Sequence, residues 1–327
     1  MLKKIGILTS GGDSQGMNAA IAGVIKTAHA KGLETYIIRD GYLGLINNWM
    51  EVVDNNFADS IMRLGGTVIG SARLPEFKDP EVQKKAVDIL KKQEIAALVV
   101  IGGDGSYQGA QRLTELGINC IALPGTIDND ITSSDYTIGF DTAINIVVEA
   151  IDRLRDTMQS HNRCSIVEVM GHACGDIALY AGIAGGADII SINEAALSET
   201  EIADRVAMLH QAQKRSVIVV VSEMIYPDVH KLAKLVESKS GYITRATVLG
   251  HTQRGGNPTA MDRYRAFQMA QFAVEQIIAG VGGLAIGNQG DQIIARPIME
   301  ALSIPRSSRK EIWAKFDQLN QNIYQKS

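Results

Sequence analysis

Two aspartates, Asp128 and Asp130, stand two residues apart in the segment PGTIDND (124–130), directly after the apolar run 120–123. Carboxylates so spaced at the end of a strand can share one polar crevice. One then accepts a proton from a substrate hydroxyl while the other holds a metal ion or orients the first. A polar turn with two solvated carboxylates has the same spacing. A third carboxylate, Asp104, lies inside GGDG (102–105). Among amides that cradle phosphate it would repel the ligand unless a cation intervened, which points to Mg²⁺ bridging Asp104 and phosphate oxygens. An Asx-turn that bonds only local backbone is the other reading.

Glycine supplies the second kind of chemistry. TSGGDSQG (9–16) and GGDGSYQG (102–109) each follow an apolar run. Glycine lets backbone N–H groups approach a phosphate closely, and a helix starting at Met17 would add the positive end of its dipole. Such glycines also make tight strand-to-helix turns. Two loops of the form strand-GGD-helix in one chain favour phosphate. Neither is a GxxxxGK[ST] loop or a GxGxxG dinucleotide fingerprint, and protein-kinase signatures are absent. Basic residues recur beside glycine: Arg73 in GSAR, Arg163 ahead of the run from Ser165, Arg245 in TRATVLG, and His251 and Arg254 in GHTQRGG. Each alone reads as a solvated surface charge. At strand ends near phosphate loops they suit an anionic substrate, because a guanidinium fork matches phosphate geometry.

The elements that position these residues repeat one pattern, a short apolar run, a glycine-rich segment, then helical periodicity. Strands are expected over 5–8, 36–38, 97–101, 120–123, 165–169, 217–221 and 246–249. Helices are expected over 17–30, 110–116 and 177–184. The pattern predicts an α/β fold of two similar doubly wound domains with mostly parallel sheets, whose ligands bind at the carboxyl ends of strands. The echo between TSGGDSQG and MGHACGD, each after a strand, is the sequence sign of two similar domains. A boundary is expected near Gly139, with more than one chain crossing.

The bulk properties restrict the function. With 327 residues the chain is long enough for two domains or one large α/β unit. Its 32 basic and 36 acidic residues give a net charge of −4, and no electrostatic reason for a nucleic-acid or membrane partner. Three cysteines, Cys120, Cys164 and Cys174, form no CxxC pair and fit a reducing cytoplasm. The apolar stretch near Met1 is too short for a signal-peptide core, and runs such as 217–221 fall far short of a membrane span.

Taken together, TSGGD from Thr9, GSARLPEF from Gly70, VVIGGDGS from Val99, LPGTIDND from Leu123, AIDRLRDT from Ala150, EVMG from Glu168, and RATVLGH with QRGG between Arg245 and Gly256 resemble the bacterial ATP-dependent 6-phosphofructokinase family. The resemblance runs from about Lys3 to Gly290. It implies phosphoryl transfer from ATP to the 1-hydroxyl of fructose 6-phosphate, with Mg²⁺ as cofactor, in a homotetramer. It makes Asp128 the base, with Thr126, Arg73, His172 and Asp130 also catalytic, and assigns Asp104 to the metal. It places Gly12, Tyr42, Arg73, Leu74, Gly103, Asp104, Gly105 and Ser106 at ATP. Thr126, Asp128, Met170, Gly171, His172, Glu223, His251 and Arg254 would bind the sugar phosphate, and Arg163 and Arg245 would reach its 6-phosphate from a neighbouring subunit. The ATP-binding domain is expected over 1–139 plus 252–303, and the fructose 6-phosphate domain over 140–251 plus 304–327.

The family pattern also discriminates the donor. Pyrophosphate-dependent relatives look like GGDD and PKTIDND, whereas this chain has Gly105 and Gly125, which favours ATP. Two departures stand out. His172 occupies a position where the family usually carries arginine, which implies weaker charge stabilisation or a more pH-sensitive rate. At the family's effector site for ADP or phosphoenolpyruvate, Lys26, Arg155, Lys214 and the acidic Asp188 remain, but Ala22, Asn55 and Ala212 replace basic residues. Weak regulation follows, with Arg215 as a compensating candidate. A pyrophosphate enzyme on the same fold, a non-catalytic nucleotide sensor and a nicotinamide-dependent oxidoreductase are the competing readings. The sensor would not need Asp128 and Asp130 beside sugar-phosphate arginines, and the oxidoreductase lacks its fingerprint.

Overall fold

The computed structural model describes residues 2–325, with side chains to residue 321. The strands are β1 (Lys4–Ser10), β2 (Glu34–Ile38), β3 (Met50–Val53), β4 (Ala97–Gly102), β5 (Asn119–Pro124), β6 (Arg163–Val169), β7 (Ile189–Ser191), β8 (Val217–Ser222), β9 (Ile243–Val248), β10 (Leu284–Gln289) and β11 (Gln292–Pro297). The helices are α1 (Met17–Ala30), α2 (Gly41–Ile46), α3 (Asn55–Ile61), α4 (Pro80–Lys92), α5 (Asp104–Glu115), α6 (Phe140–His161), α7 (Asp176–Ala184), α8 (Glu199–Gln211), α9 (Val229–Ser240), α10 (Ala260–Ile278), α11 (Ile298–Ser303) and α12 (Lys310–Gln325).

The chain forms two compact units, 1–142 with 254–306, and 143–253 with 307–327. In the first, seven strands lie in the order β11-β10-β5-β4-β1-β2-β3. β1, β2, β4, β5 and β10 run parallel, while β3 and β11 are antiparallel edges. The second unit has four strands, β7-β8-β6-β9, all parallel. This is the α/β architecture with mostly parallel sheets that the glycine-punctuated runs predict.

Burial explains why those runs are strands. Every residue of β4 (ALVVIG) and β8 (VIVVVS) is buried. A strand buried on both faces reads as a continuous apolar run because helices cover both sides of the sheet. In the first unit α1, α3 and α10 pack on one face, with Ile21, Ile25, Ala58, Met269 and Val274 in one core. On the other face α2, α4, α5 and α11 bring Leu45, Leu90, Tyr107 and Ile298 into a second. The chain moves outward in opposite directions from β1 and β4, which are neighbours in register from Ile5↔Ala97 to Ser10↔Gly102. Such a topological switch point leaves a crevice beyond the strands' carboxyl ends, where the two GGD loops begin.

Two expectations need adjustment. α5 starts at Asp104, with Gly103 as its N-cap, not near Ala110. The GGDG turn is therefore the helix start itself, since Ser106 and Tyr107 both donate to Gly103 O. Arg163 is not ahead of its strand but is the first residue of β6.

Candidate active site

In the first unit the donor loop begins where β1 ends. Its last residue, Gly16, has φ 101°, and a Cβ there would stand 2.8 Å from Ile138 Cγ2. Glycine is thus required by both dihedral and space. Around Gly11 the loops are tied by short bonds: Ser71 Oγ donates to Gly11 O (2.5 Å), Thr9 Oγ1 to Gly70 O (2.8 Å), and Ser106 Oγ to Ser10 O (3.1 Å). Gly12 and Gly105 are exposed, and a Cβ on Gly103 or Gly105 would meet no protein atom within 4 Å. Open space beside N–H groups at the start of α5 is what a polyphosphate needs. Arg73 is exposed, and among the described residues it holds no ion pair.

Tyr42, expected at the ligand, is 5% exposed. Its ring stacks on Phe77 with centroids 4.2 Å apart, and its hydroxyl donates to Ser106 O (2.7 Å). A buried tyrosine hydroxyl usually finds a hydrogen-bond partner, and here that bond ties Tyr42 to the first turn of α5. Leu74 is half-buried against the same core.

The carboxylates gather at the ends of β4 and β5, adjacent strands with Gly102 opposite Pro124. Desolvation, and then the neighbouring Asp130 carboxylate, lift the Asp104 carboxyl above its usual range. Two carboxylates that repel one another beside an anion-binding loop suit a divalent cation. Thr126 and Asp128 are half-buried, and Asp128 N donates to Thr126 Oγ1 (3.1 Å). Arg254, expected among the sugar-phosphate residues, belongs to this first unit. It donates from Nη1 to Asp13 O (2.8 Å), and its guanidinium lies 3.0 Å from where a Gly12 Cβ would be.

In the second unit the loop after β6 holds Met170, Gly171 and His172. Gly171 has φ 142° and His172 has φ 53°. Glu223, just beyond β8, accepts both of their N–H groups on Oε1, at 3.2 and 2.8 Å. Buried Gln253 accepts from Met170 N (3.2 Å) and donates to Gly250 O (2.9 Å), linking this loop to the turn Gly250–Arg254 that bears exposed His251. Burial and then Glu223 raise Glu168 above the usual carboxylate range, opposed by His230. Gln253 and Glu168 lie in the QRGG and EVMG segments, but local spacing gives neither a role, because Met170, Glu223 and His230, which they meet, are distant along the chain or lie on another element. Arg163 is half-buried with Nε out of water and without a partner, while Arg245 on β9 pairs with Glu237 (3.0 Å).

The effector candidates are each engaged inside their own unit. Lys26 pairs with Asp59 in the first. In the second, Arg155 donates to Gly185 O (2.6 Å) and Gly186 O (2.7 Å), and Lys214 pairs with buried Asp188, whose Oδ2 accepts from Ile218 N (2.9 Å). Arg215 donates to Gln159 O (2.9 Å).

Residues 4–277 match the profile of the family described as Phosphofructokinase. Over all 327 residues the chain is 99% identical to an ATP-dependent 6-phosphofructokinase of Spiroplasma citri, covering 100% of both. It is 49% identical over 320 residues to the ATP-dependent 6-phosphofructokinase of Photobacterium profundum, covering 98% of this chain and 100% of that one. Among solved structures it is similar to a phosphofructokinase from Saccharomyces cerevisiae, with TM-score 0.85 and 32% identity, covering 98% of this chain and 47% of that one. The fold is shared with a pyrophosphate-dependent phosphofructokinase from Marinobacter aquaeolei, with TM-score 0.82 and 22% identity over 94% of this chain and 86% of that one.

Proposed function

The chain belongs to the phosphofructokinase family, and from that premise we propose how its residues divide the work of an ATP-dependent 6-phosphofructokinase. The reaction transfers the terminal phosphoryl group of ATP to the 1-hydroxyl of fructose 6-phosphate, giving fructose 1,6-bisphosphate and ADP. The observation that carries the assignment is the grouping of Thr126, Asp128, Asp130 and Asp104 at the ends of adjacent strands in the unit that bears both GGD loops.

The first unit is the ATP-binding domain and the second binds fructose 6-phosphate. The amides of the loop after β1 and of the start of α5 bind the polyphosphate, and Arg73 supplies a free guanidinium. Asp128 takes the proton of the 1-hydroxyl as that oxygen forms its bond to phosphorus and the bond to the ADP oxygen breaks. Thr126 and His172 donate toward the transferring group, whose catalysis rests on position and charge. Asp104, with Asp130, would hold Mg²⁺, which when bound offsets the negative charge on the donor phosphates. Met170, Gly171, Glu223, His251 and Arg254 orient the sugar. Arg163 and Arg245 serve the 6-phosphate of a neighbouring subunit in a homotetramer. That role is supported by the partnerless Nε of Arg163 and by β9 being an edge strand with exposed Ile243 and Val248. Regulation by ADP or phosphoenolpyruvate is weak, because each retained cation already has an internal partner.

Two measurements test this reading. Product formation from fructose 6-phosphate should proceed with ATP and be negligible with pyrophosphate; faster turnover with pyrophosphate would overturn the donor assignment. Asp128→Asn should lower kcat by about 10²–10⁴ with little change in either KM. Normal turnover in that variant would remove Asp128 as the base.

A further inference from the structure

We propose that Asn129 and Thr137, both buried, are the positioning residues that hold Thr126 and Asp128 in their reactive geometry. The inference rests on the reading of Asp128 as the base. The segment from Pro124 to Ile138 leaves β5 and returns to it. Its ends are pinned, with Gly125 N donating to Gly102 O (3.1 Å) and Ile138 N to Pro124 O (2.8 Å). Between them, residues 126–130 lie in no helix or strand. A segment without a backbone ladder takes its shape from side-chain bonds or from water.

Those bonds come from two residues. Thr137 is 2% exposed and donates from Oγ1 to Thr126 O (2.6 Å), while its N–H is accepted by Asn129 Oδ1 (2.9 Å). Asn129 is 6% exposed and donates from Nδ2 to Asp135 O (3.2 Å). Its backbone is left-handed, with φ 54°, a conformation asparagine tolerates better than most residues. It sits between the base and Asp130, the carboxylate beside Asp104. The bonds form one connected path from Asp135 through Asn129 and Thr137 to Thr126, whose Oγ1 accepts from Asp128 N. Because both side chains are buried, any effect on turnover must pass through the residues they hold.

The experiment compares Thr137→Val, Thr137→Ser, Asn129→Ala and Asn129→Gly with Asp128→Asn as reference. Thr137→Val and Asn129→Ala should lower kcat about 10- to 100-fold while both KM values stay within about twofold, since a misplacement near 1 Å costs that much. Thr137→Ser restores the hydroxyl and should recover most of the loss. Asn129→Gly keeps the left-handed backbone but not the bonds, and should lose as much as Asn129→Ala. Thr137→Val with unaltered kcat, or a lowered melting temperature as its only effect, overturns the proposal. So does Asn129→Gly with wild-type turnover, which stands as the test if Thr137→Val does not fold. A full kcat in Asp128→Asn would instead remove the base itself, whatever the other four variants do.

Discussion

His172 occupies the exposed tip of the loop after β6 in a left-handed conformation, with its N–H accepted by Glu223. Its backbone is held in place, so its side chain is the variable part. A guanidinium stays charged and presents a fork of donors that matches phosphate oxygens, whereas an imidazole is shorter and presents fewer. His172→Arg should therefore raise kcat by about fivefold, on the order of what one added charge-assisted hydrogen bond contributes. An unchanged kcat would show that His172 does not act on the transferring group. The two small residues expected to admit ATP are small for different reasons. Gly105 borders open space, but a Cβ on Gly125 would meet Met17 Cε at 2.9 Å, Ile101 Cγ2 at 3.0 Å and Gly102 N at 3.3 Å. Gly105 leaves room for a ligand, while Gly125 is dictated by packing as well.

At the scale of elements, the start of α6 depends on a buried carboxylate contributed by α10. Asp262 is 2% exposed and accepts from Gly139 N (2.9 Å), Thr142 N (2.8 Å) and Thr142 Oγ1 (2.5 Å). Burial raises its carboxyl from 3.8 to about 6, against those three donors. Asp141, also near, raises it further, and Thr259 holds Asp141 by donating to its Oδ2 (2.6 Å). Between these two values the folded state keeps a proton that the unfolded chain has lost. Stability from this group is thus greatest below pH 3.8, falls as pH rises through about 6, and is constant above that. The difference in urea unfolding free energy between the wild type and Asp262→Asn should change by up to about 1.4 kcal/mol per pH unit from pH 4 to 6, and stay level from 6.5 to 8. A difference that is constant from pH 4 to 6 would contradict the raised value.

For the whole molecule, the question is how far turnover depends on other copies and on effectors. Fructose 6-phosphate saturation curves should shift less than about threefold on adding ADP or phosphoenolpyruvate, because several charge-assisted contacts of about 1.5–3 kcal/mol each are missing or already committed internally. A large shift would show that Arg215 or another cation compensates. Sedimentation run alongside activity tests the proposal that neighbouring subunits share the 6-phosphate site: dilution to monomer should abolish turnover, and a fully active monomer would place both arginines' role within one chain. The three cysteines are buried and form no disulfide among the described residues. No described helix is long and apolar enough to cross a membrane.

Much of this was legible in the residues alone. The apolar runs mark strands because both faces of each sheet are covered, and α1 spans the expected 17–30 because Gly16 stops the loop and Lys31 ends the periodicity. Local spacing makes Asp128, Asp104 and the glycine loops candidates for phosphate chemistry, with a polar turn or an Asx-turn still open, and the family resemblance is what singles out Asp128. Pairing at a distance was decided by the tertiary structure. It set β3 and β11 antiparallel at the edges of the larger sheet, buried Tyr42 against Phe77, and brought Asp104 beside Asp130 because β4 and β5 are neighbours. It also closed the loop on Asp128 through Asn129 and Thr137, which look like ordinary turn residues in the sequence. Local periodicity reports which face of an element is buried, but not which distant element buries it, and the geometry of the reacting carboxylates depends on the second.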